Sequence, residues 1–309
     1  MITAVTLNTA VDKLYIVDSF STGEVTRVKE CIATAGGKGL NVARVVSILG
    51  ENVVATGFAG GHSGRYVEEM LKKDKIKSSF VHVEGESRTC INIIDKSGVS
   101  TELLEPGAAV TMDEQDKFTR HMQRAIGESN VVVLSGSTPP GCGADYYGKL
   151  ISIAKDAGKK VILDTSGKNL QEGVKALPTM IKPNKDEIKS LLGVDIANKK
   201  DVVEAAKRLH GIGIPYVVIS MGKYGAIAAC AEGVFEGVPP DVKVVNTVGC
   251  GDSMTAAFAV GFSRGYKFTE SFKFALAVSS ASAMCKQTGY LDMDGLKKIL
   301  SEGQVTKLS

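Results

Sequence analysis

The chain has 309 residues, 44% of them hydrophobic and 23% charged, with a formal net charge of +3. This composition suits a globular protein with a large core, and so small a charge gives no argument for nucleic-acid or membrane partners, so none is expected. The six cysteines never form Cys-x-x-Cys, no apolar run approaches membrane-spanning length, and Met1-Ile2-Thr3-Ala4-Val5-Thr6-Leu7 lacks the basic start of a secretion signal, so a cytoplasmic protein with reduced thiols is expected.

The first apolar run predicts a strand at 2–7, with Asn8 and Asp12 behind it. A carboxylate just past a strand end can grip sugar hydroxyls, or it can simply form a turn. Residues 12–32 are strand-like and contain Arg27. The run Ala35-Gly36-Gly37-Lys38-Gly39 leads into a helix at 39–49 that carries Asn41. It is neither a Walker A loop, since Gly39 follows the lysine, nor a dinucleotide fingerprint, since the third glycine is missing. A helix start beside a lysine still suits a polar or phosphorylated ligand.

A strand at 53–58 and a helix at 64–73 follow. Residues 88–105, beginning at Arg88, read as a hairpin turning at Asp95-Lys96-Ser97-Gly98. Further strands are predicted at 131–135, 161–164, 180–182, 217–220 and 226–230. Helices are predicted at 112–126, 145–156, 185–192 and 200–210, with late Ala/Ser-rich helices at 253–264 and 269–286. Such alternation implies an α/β fold with a mostly parallel sheet covered on both faces. The segments 12–32 and 88–105 break the rhythm and can pair into a small sheet acting as a lid, or remain unrelated surface hairpins. The four histidines show no metal-ligand spacing.

In Lys182-Pro183-Asn184-Lys185-Asp186-Glu187, Asn184 and Glu187 have capping-box spacing. The same pair could help place hydrated Mg²⁺ at nucleotide phosphates. Ser220-Met221-Gly222-Lys223-Tyr224-Gly225 is a glycine-bearing turn that an adenine ring could approach. Thr247-Val248-Gly249-Cys250-Gly251-Asp252-Ser253 is the most informative run. Its glycines open a helix start to a phosphate, and Asp252 is a candidate base for the attacking hydroxyl. The plainer alternative is an ordinary acid in a first helical turn.

These pieces, in this order, resemble the ribokinase-like (PfkB) carbohydrate kinases along the whole chain. Leu7-Asn8-Thr9-Ala10-Val11-Asp12 resembles the opening substrate motif, and Gly36-Gly37-Lys38-Gly39-Leu40-Asn41-Val42-Ala43 the first signature. Ser135-Gly136-Ser137-Thr138-Pro139-Pro140-Gly141 resembles the segment lining the sugar pocket. Lys182-Pro183-Asn184 with Glu187 resembles the Asn-x-x-Glu motif, and Thr247–Ser253 the second signature. The resemblance implies one domain over 1–309, a three-layer α/β/α sandwich with a lid from roughly 12–32 and 88–105. It implies ATP-dependent phosphorylation of a primary hydroxyl. Within the family, the glycine run, Gly85-Glu86-Ser87-Arg88-Thr89-Cys90 and Gln287-Thr288-Gly289-Tyr290 resemble the phosphosugar branch, so the substrate expected is a ketohexose monophosphate, tagatose 6-phosphate or fructose 1-phosphate.

The expected roles follow from the matching positions. Asp252 is the base, and the Gly249, Cys250 and Gly251 N–H groups form the anion hole. Asp12, Gly36, Gly37, Asn41 and Ser137 face the sugar, with its phosphate on Lys38, Arg88 and Arg27. Lys182, Asn184, Ser220, Gly222, Gly225 and Thr247 face the nucleotide, and Asn184 and Glu187 hold Mg²⁺ through water. A homodimer through the lid is expected. Cys250 departs from the family's usual alanine or serine. A helix start can lower a thiol pKa, which would make it reactive; otherwise it is a passive small residue. The rival classes are another PfkB sugar kinase (fructose 6-phosphate, ribose), a dinucleotide-dependent oxidoreductase, which both glycine runs disfavour, and a non-catalytic nucleotide sensor.

Overall fold

A computed structural model describes residues 1–308. Strands β1 (Ile2–Thr6), β4 (Val53–Gly60), β5 (Lys77–Val83), β8 (Val131–Ser135), β9 (Lys160–Asp164), β10 (Met180–Ile181), β11 (Tyr216–Ser220), β12 (Ala226–Cys230), β13 (Gly233–Val238) and β14 (Gln304–Lys307) form a ten-stranded sheet. Its order is β14-β13-β12-β11-β10-β9-β8-β1-β4-β5. From β5 to β11 neighbouring strands are parallel; β12, β13 and β14 continue antiparallel.

Alternating side chains explain why both faces are covered. Val131 and Val133 of β8 enter one core cluster, while Val132 and Leu134 enter the other. One face packs α1 (Lys38–Ile48), α2 (Gly61–Lys73), α8 (Cys250–Arg264), α9 (Phe268–Ala283) and α10 (Met293–Ile299). The opposite face packs α3 (Met112–Ala125), α4 (Tyr146–Asp156), α5 (Gly167–Gly173), α6 (Lys185–Leu192) and α7 (Lys199–Gly211). Each fully buried aliphatic side chain contributes about 1.5–3 kcal/mol through burial. Small residues let α8 and α9 come close, with Gly261 lying against Ser271.

A second, four-stranded sheet has the order β3-β2-β6-β7, from β2 (Ala10–Ile16), β3 (Glu30–Gly36), β6 (Arg88–Ile94) and β7 (Ser100–Leu104). The two segments outside the α/β rhythm meet here. β6 and β7 form the antiparallel hairpin turning at 95–98, whereas β2 pairs with β6 in parallel. Residues 12–32 are not one strand-like stretch: β2 ends at Ile16, and β3 begins at Glu30 after an exposed loop.

Sequence patterning missed β5, β13, β14, α5 and α10. β5 opens with polar Lys77, Ser78 and Ser79 and lies at the sheet edge, so it shows little apolar alternation. β14 is mostly exposed and gains its strand character from pairing with β13.

Candidate active site

The sheet order reverses beside β1: the chain moves from β1 through β4 to β5 on one side and from β8 through β11 on the other. Ligands of open α/β sheets bind at such switch points, outside the carboxyl ends of the strands. A cleft of about 910 Å³ lies there. Asn8 follows β1, Gly136 and Ser137 follow β8, Asp164 ends β9, Lys182 and Asn184 follow β10, and Ser220 ends β11; all of them line it. From the second sheet come Asp12, Leu14, Thr34, Arg88, Cys90 and Leu104, which wall the cleft on another side.

Asp252 sits in the first turn of α8 and is only 5% exposed. Gly249 caps this helix at φ +82°, a left-handed conformation that favours glycine. Asn41 Nδ2 donates to Asp252 Oδ2 at 2.9 Å, and among the described residues no side chain donates to Oδ1. Burial pushes the Asp252 carboxyl up to about 6, against the pull of the Lys38 ammonium; the Asp164 charge adds to the rise and the Asn41 bond opposes it.

Asp164, absent from the sequence-based set, is the electrostatic hub. It is 2% exposed and lies 3.3 Å from Lys182 Nζ and 3.4 Å from Lys38 Nζ, and it accepts from Thr255 Oγ1 at 2.8 Å. Burial opposes its ionisation, but Lys182 and Lys38 together hold its carboxyl below the usual range. In turn, the Asp164 charge raises Lys38 above the ordinary lysine value against the cost of burial. Lys182 Nζ also lies against Gly251, where an added Cβ would stand 3.2 Å away. Two ammonium groups and a helix N-terminus thus converge beside Asp252, an arrangement suited to a polyanion. One signal for Asp164 was present: a lone acid ending the apolar run Val161-Ile162-Leu163.

The α8 start differs in one detail from expectation. Cys250 N–H donates to Thr247 O at 3.3 Å, whereas a first helical turn leaves the Gly251 and Asp252 N–H groups without intrahelical acceptors. The Cys250 thiol is not acidified. Burial, with Asp252 and Cys285 nearby, pushes it up to about 11, and its Sγ donates to Asn246 O at 3.7 Å. A helix-start dipole does not overcome desolvation here, which favours the passive small residue over the reactive thiol.

Asp12 packs its carboxyl directly on Gly36, where no Cβ fits. Burial raises its pKa, while the Gly37 N–H and the Arg88 charge oppose the rise. Arg88 donates to Asn8 O at 3.4 Å and Glu105 O at 3.1 Å, and Ser137 Oγ accepts from Asn8 Nδ2 at 3.3 Å. Gly37, Gly222, Gly225, Thr247 and Glu187 also line the cleft. Asn184 and Glu187 form the capping box of α6, each accepting from the other's backbone N–H at 2.9 Å. Arg27 is not brought in: it lies exposed in the loop between β2 and β3, outside the lining residues. Lys38 stands with Asp164, and the Asp252 charge acts on it as well. The apolar Val238, Val242, Val244, Leu276 and Ala283, which sequence reasoning had not singled out, line the same cleft.

The layered sheet with its second small sheet is the architecture of a ribokinase-like sugar kinase. The model of the pfkB family carbohydrate kinases matches residues 3–294, and the chain belongs to that family. It is 39% identical over 311 residues to a tagatose-6-phosphate kinase of Staphylococcus epidermidis, covering 100% of both chains. Phosphofructokinase-2 of Escherichia coli has a similar structure. In complex with substrates and products it superposes with TM-score 0.92 at 29% identity, over 98% of each chain. In complex with fructose-6-phosphate it gives TM-score 0.91 at 28% identity, again over 98% of each. The chain is therefore an ATP-dependent sugar kinase. Among the described residues no helix is long and apolar enough to cross a membrane.

Proposed function

We propose that this kinase transfers the γ-phosphoryl of ATP to a free primary hydroxyl of a ketohexose monophosphate, with tagatose 6-phosphate the first candidate. The observation that carries the reading is Asp252 buried at the start of α8 with Lys38 and Lys182 beside it. The full-length identity to a tagatose-6-phosphate kinase favours that sugar. Fructose 1-phosphate is the second candidate, and the fructose-6-phosphate complex of the Escherichia coli relative keeps fructose 6-phosphate as the alternative.

In this reading the adenine lies toward Val238, Val242, Val244 and the Ser220–Gly225 turn. The triphosphate runs past Thr247 and Lys182 to the Gly249–Gly251 corner, where the Gly251 N–H, Lys182 and Lys38 stabilise charge on the transferred group. The sugar hydroxyls meet Asp12, Asn41, Ser137 and the Gly36-Gly37 backbone beneath the small sheet, which acts as a lid on a single domain. Asp252 Oδ1 accepts the proton as the hydroxyl oxygen attacks phosphorus and the bond to ADP breaks. Arg88 holds the sugar's own phosphate. Arg27, exposed in the loop between β2 and β3 and outside the cleft lining, takes no part in this reading; a homodimer formed through the small sheet belongs to it. Lys38 belongs at the transfer end.

Mg²⁺ fits Asn184 and Glu187 only through water. Part of each side chain is committed to the cap, and the described residues hold no cluster of three or more His, Cys, Asp or Glu that could bind a metal directly. It would offset charge between the ATP phosphates. A cytoplasmic location belongs to the same reading.

ADP release should be measured with tagatose 6-phosphate, fructose 1-phosphate, fructose 6-phosphate, ribose and adenosine. The highest kcat/KM is expected for the first, and a preference for unphosphorylated ribose or adenosine would sink the phosphosugar assignment. Arg88→Ala should raise the sugar-phosphate KM and leave that of ATP unchanged. A base must be ionised to accept a proton, so kcat/KM should fall as pH drops through about 6. An acid limb lying near the ordinary carboxylate value would contradict the buried base.

A further inference from the structure

Arg44 is 1% exposed, the largest fully buried side chain in the protein. A guanidinium remains charged in such a place only where its donors are met. Its Nη2 donates to Ala35 O at 2.6 Å, Nε to Asp74 Oδ2 at 2.9 Å and Nη1 to Asn41 Oδ1 at 3.2 Å. The Tyr290 ring lies over the guanidinium, 5.0 Å from its central carbon, and the Tyr290 hydroxyl donates to Asp74 Oδ1 at 3.2 Å. Gly289, at φ +73°, lets the backbone close in: an added Cβ would fall 3.0 Å from both Arg44 Nη1 and Asn41 Oδ1. Gly289 and Tyr290 therefore cover Arg44, and Thr288 before them packs against Gly249.

Asn41 and Arg44 are three residues apart on α1 and share a face. A guanidinium has donors and no acceptor. It can meet Asn41 only through Oδ1, which turns Nδ2 toward Asp252. The reversed amide would set its NH₂ against Nη1 and its oxygen against a carboxylate. We infer that Arg44, clamped by Asp74, Gly289 and Tyr290, is a positioning residue that fixes the Asn41 amide and, through it, the Asp252 carboxylate.

This inference rests on the reading of Asp252 as base. The charged groups facing Asp252 are Lys38 from α1, Asp164 from the end of β9 and Lys182 after β10, with the Cys250 thiol nearby on its own helix. None contacts Arg44, so replacing Arg44 leaves them in place and changes the Asn41 bond. That bond favours the ionised carboxylate, so losing it should raise the Asp252 pKa.

The test is steady-state kinetics against pH for Arg44→Lys and Asp74→Asn, with ATP and the best sugar phosphate of the panel. For Arg44→Lys, kcat should fall about tenfold with the ATP KM little changed, and the acid limb should move up by about one pH unit. Asp74→Asn should move it the same way by less. Adding Arg44→Lys to an Asn41→Ala background should shift nothing further, because the effect passes through Asn41. An acid limb at its wild-type midpoint in folded Arg44→Lys overturns the inference; if that variant does not fold, the same result in Asp74→Asn does so. Asp252→Asn separates the levels. Wild-type turnover there means the base reading has failed, whereas an inactive Asp252→Asn beside an unmoved Arg44→Lys profile removes the positioning role alone.

Discussion

Asp252→Asn is expected to lower kcat by about 10²–10⁴-fold, the usual worth of a positioned general base. The amide has nearly the carboxylate's shape and can still face Asn41, so the fold and the α8 start should persist. Its oxygen cannot take a proton from an alcohol at neutral pH. The substitution also removes a negative charge from beside a phosphate site, so ATP should bind as well as before or more tightly, most visibly at low salt. Calorimetric titration with ATP and a single-turnover assay would separate the two effects. Near-normal turnover in a folded variant would show that Asp252 is not the base. Weakened ATP binding would show that its charge does not face the phosphates.

A stability effect of similar weight is expected from Asp164→Ala. The substitution leaves Lys182 buried and Lys38 beside it with no carboxylate between them. Removing one partner of a buried ion pair typically costs about 3–5 kcal/mol. Urea unfolding of the ligand-free protein should show a loss of that order, and ATP, which brings its own negative charge to the two lysines, should restore much of it. The pH dependence has a defined sign. Asp164 is held below its unfolded value, so its contribution is present above that value and is lost as pH falls through the lower, folded one. Asp164 also raises Asp252, so the acid limb of any residual activity should move to lower pH. Wild-type stability in Asp164→Ala would mean that the two lysines find other partners and that the hub is misassigned.

Much of the fold was legible because its signals are local. β8, β12 and α6 follow from short apolar runs and a capping box, and the strand–helix rhythm from β8 to α7 could place a parallel sheet without any distant contact. The glycine runs were visible for the same reason, and the structure brings Lys38, Asn41 and Asp252, which lie in or beside them, to one cleft. Arg27 shows the limit, because a basic residue's type says nothing about which side of a loop it faces. Lys38 shows it too, since its assignment changed once Asp164 was seen to stand beside it.

What the residues determined unaided was the α/β class, the family resemblance and the run holding Asp252, all of them properties of neighbours along the chain. Tertiary structure alone decided that β2 lies parallel to β6, that Asp164 sits between two lysines, and that Arg44 reaches Asp252 through Asn41. Those relations join residues as much as 211 positions apart, and the energy of a buried charge depends on what surrounds it in space, which no pattern of adjacent residues records.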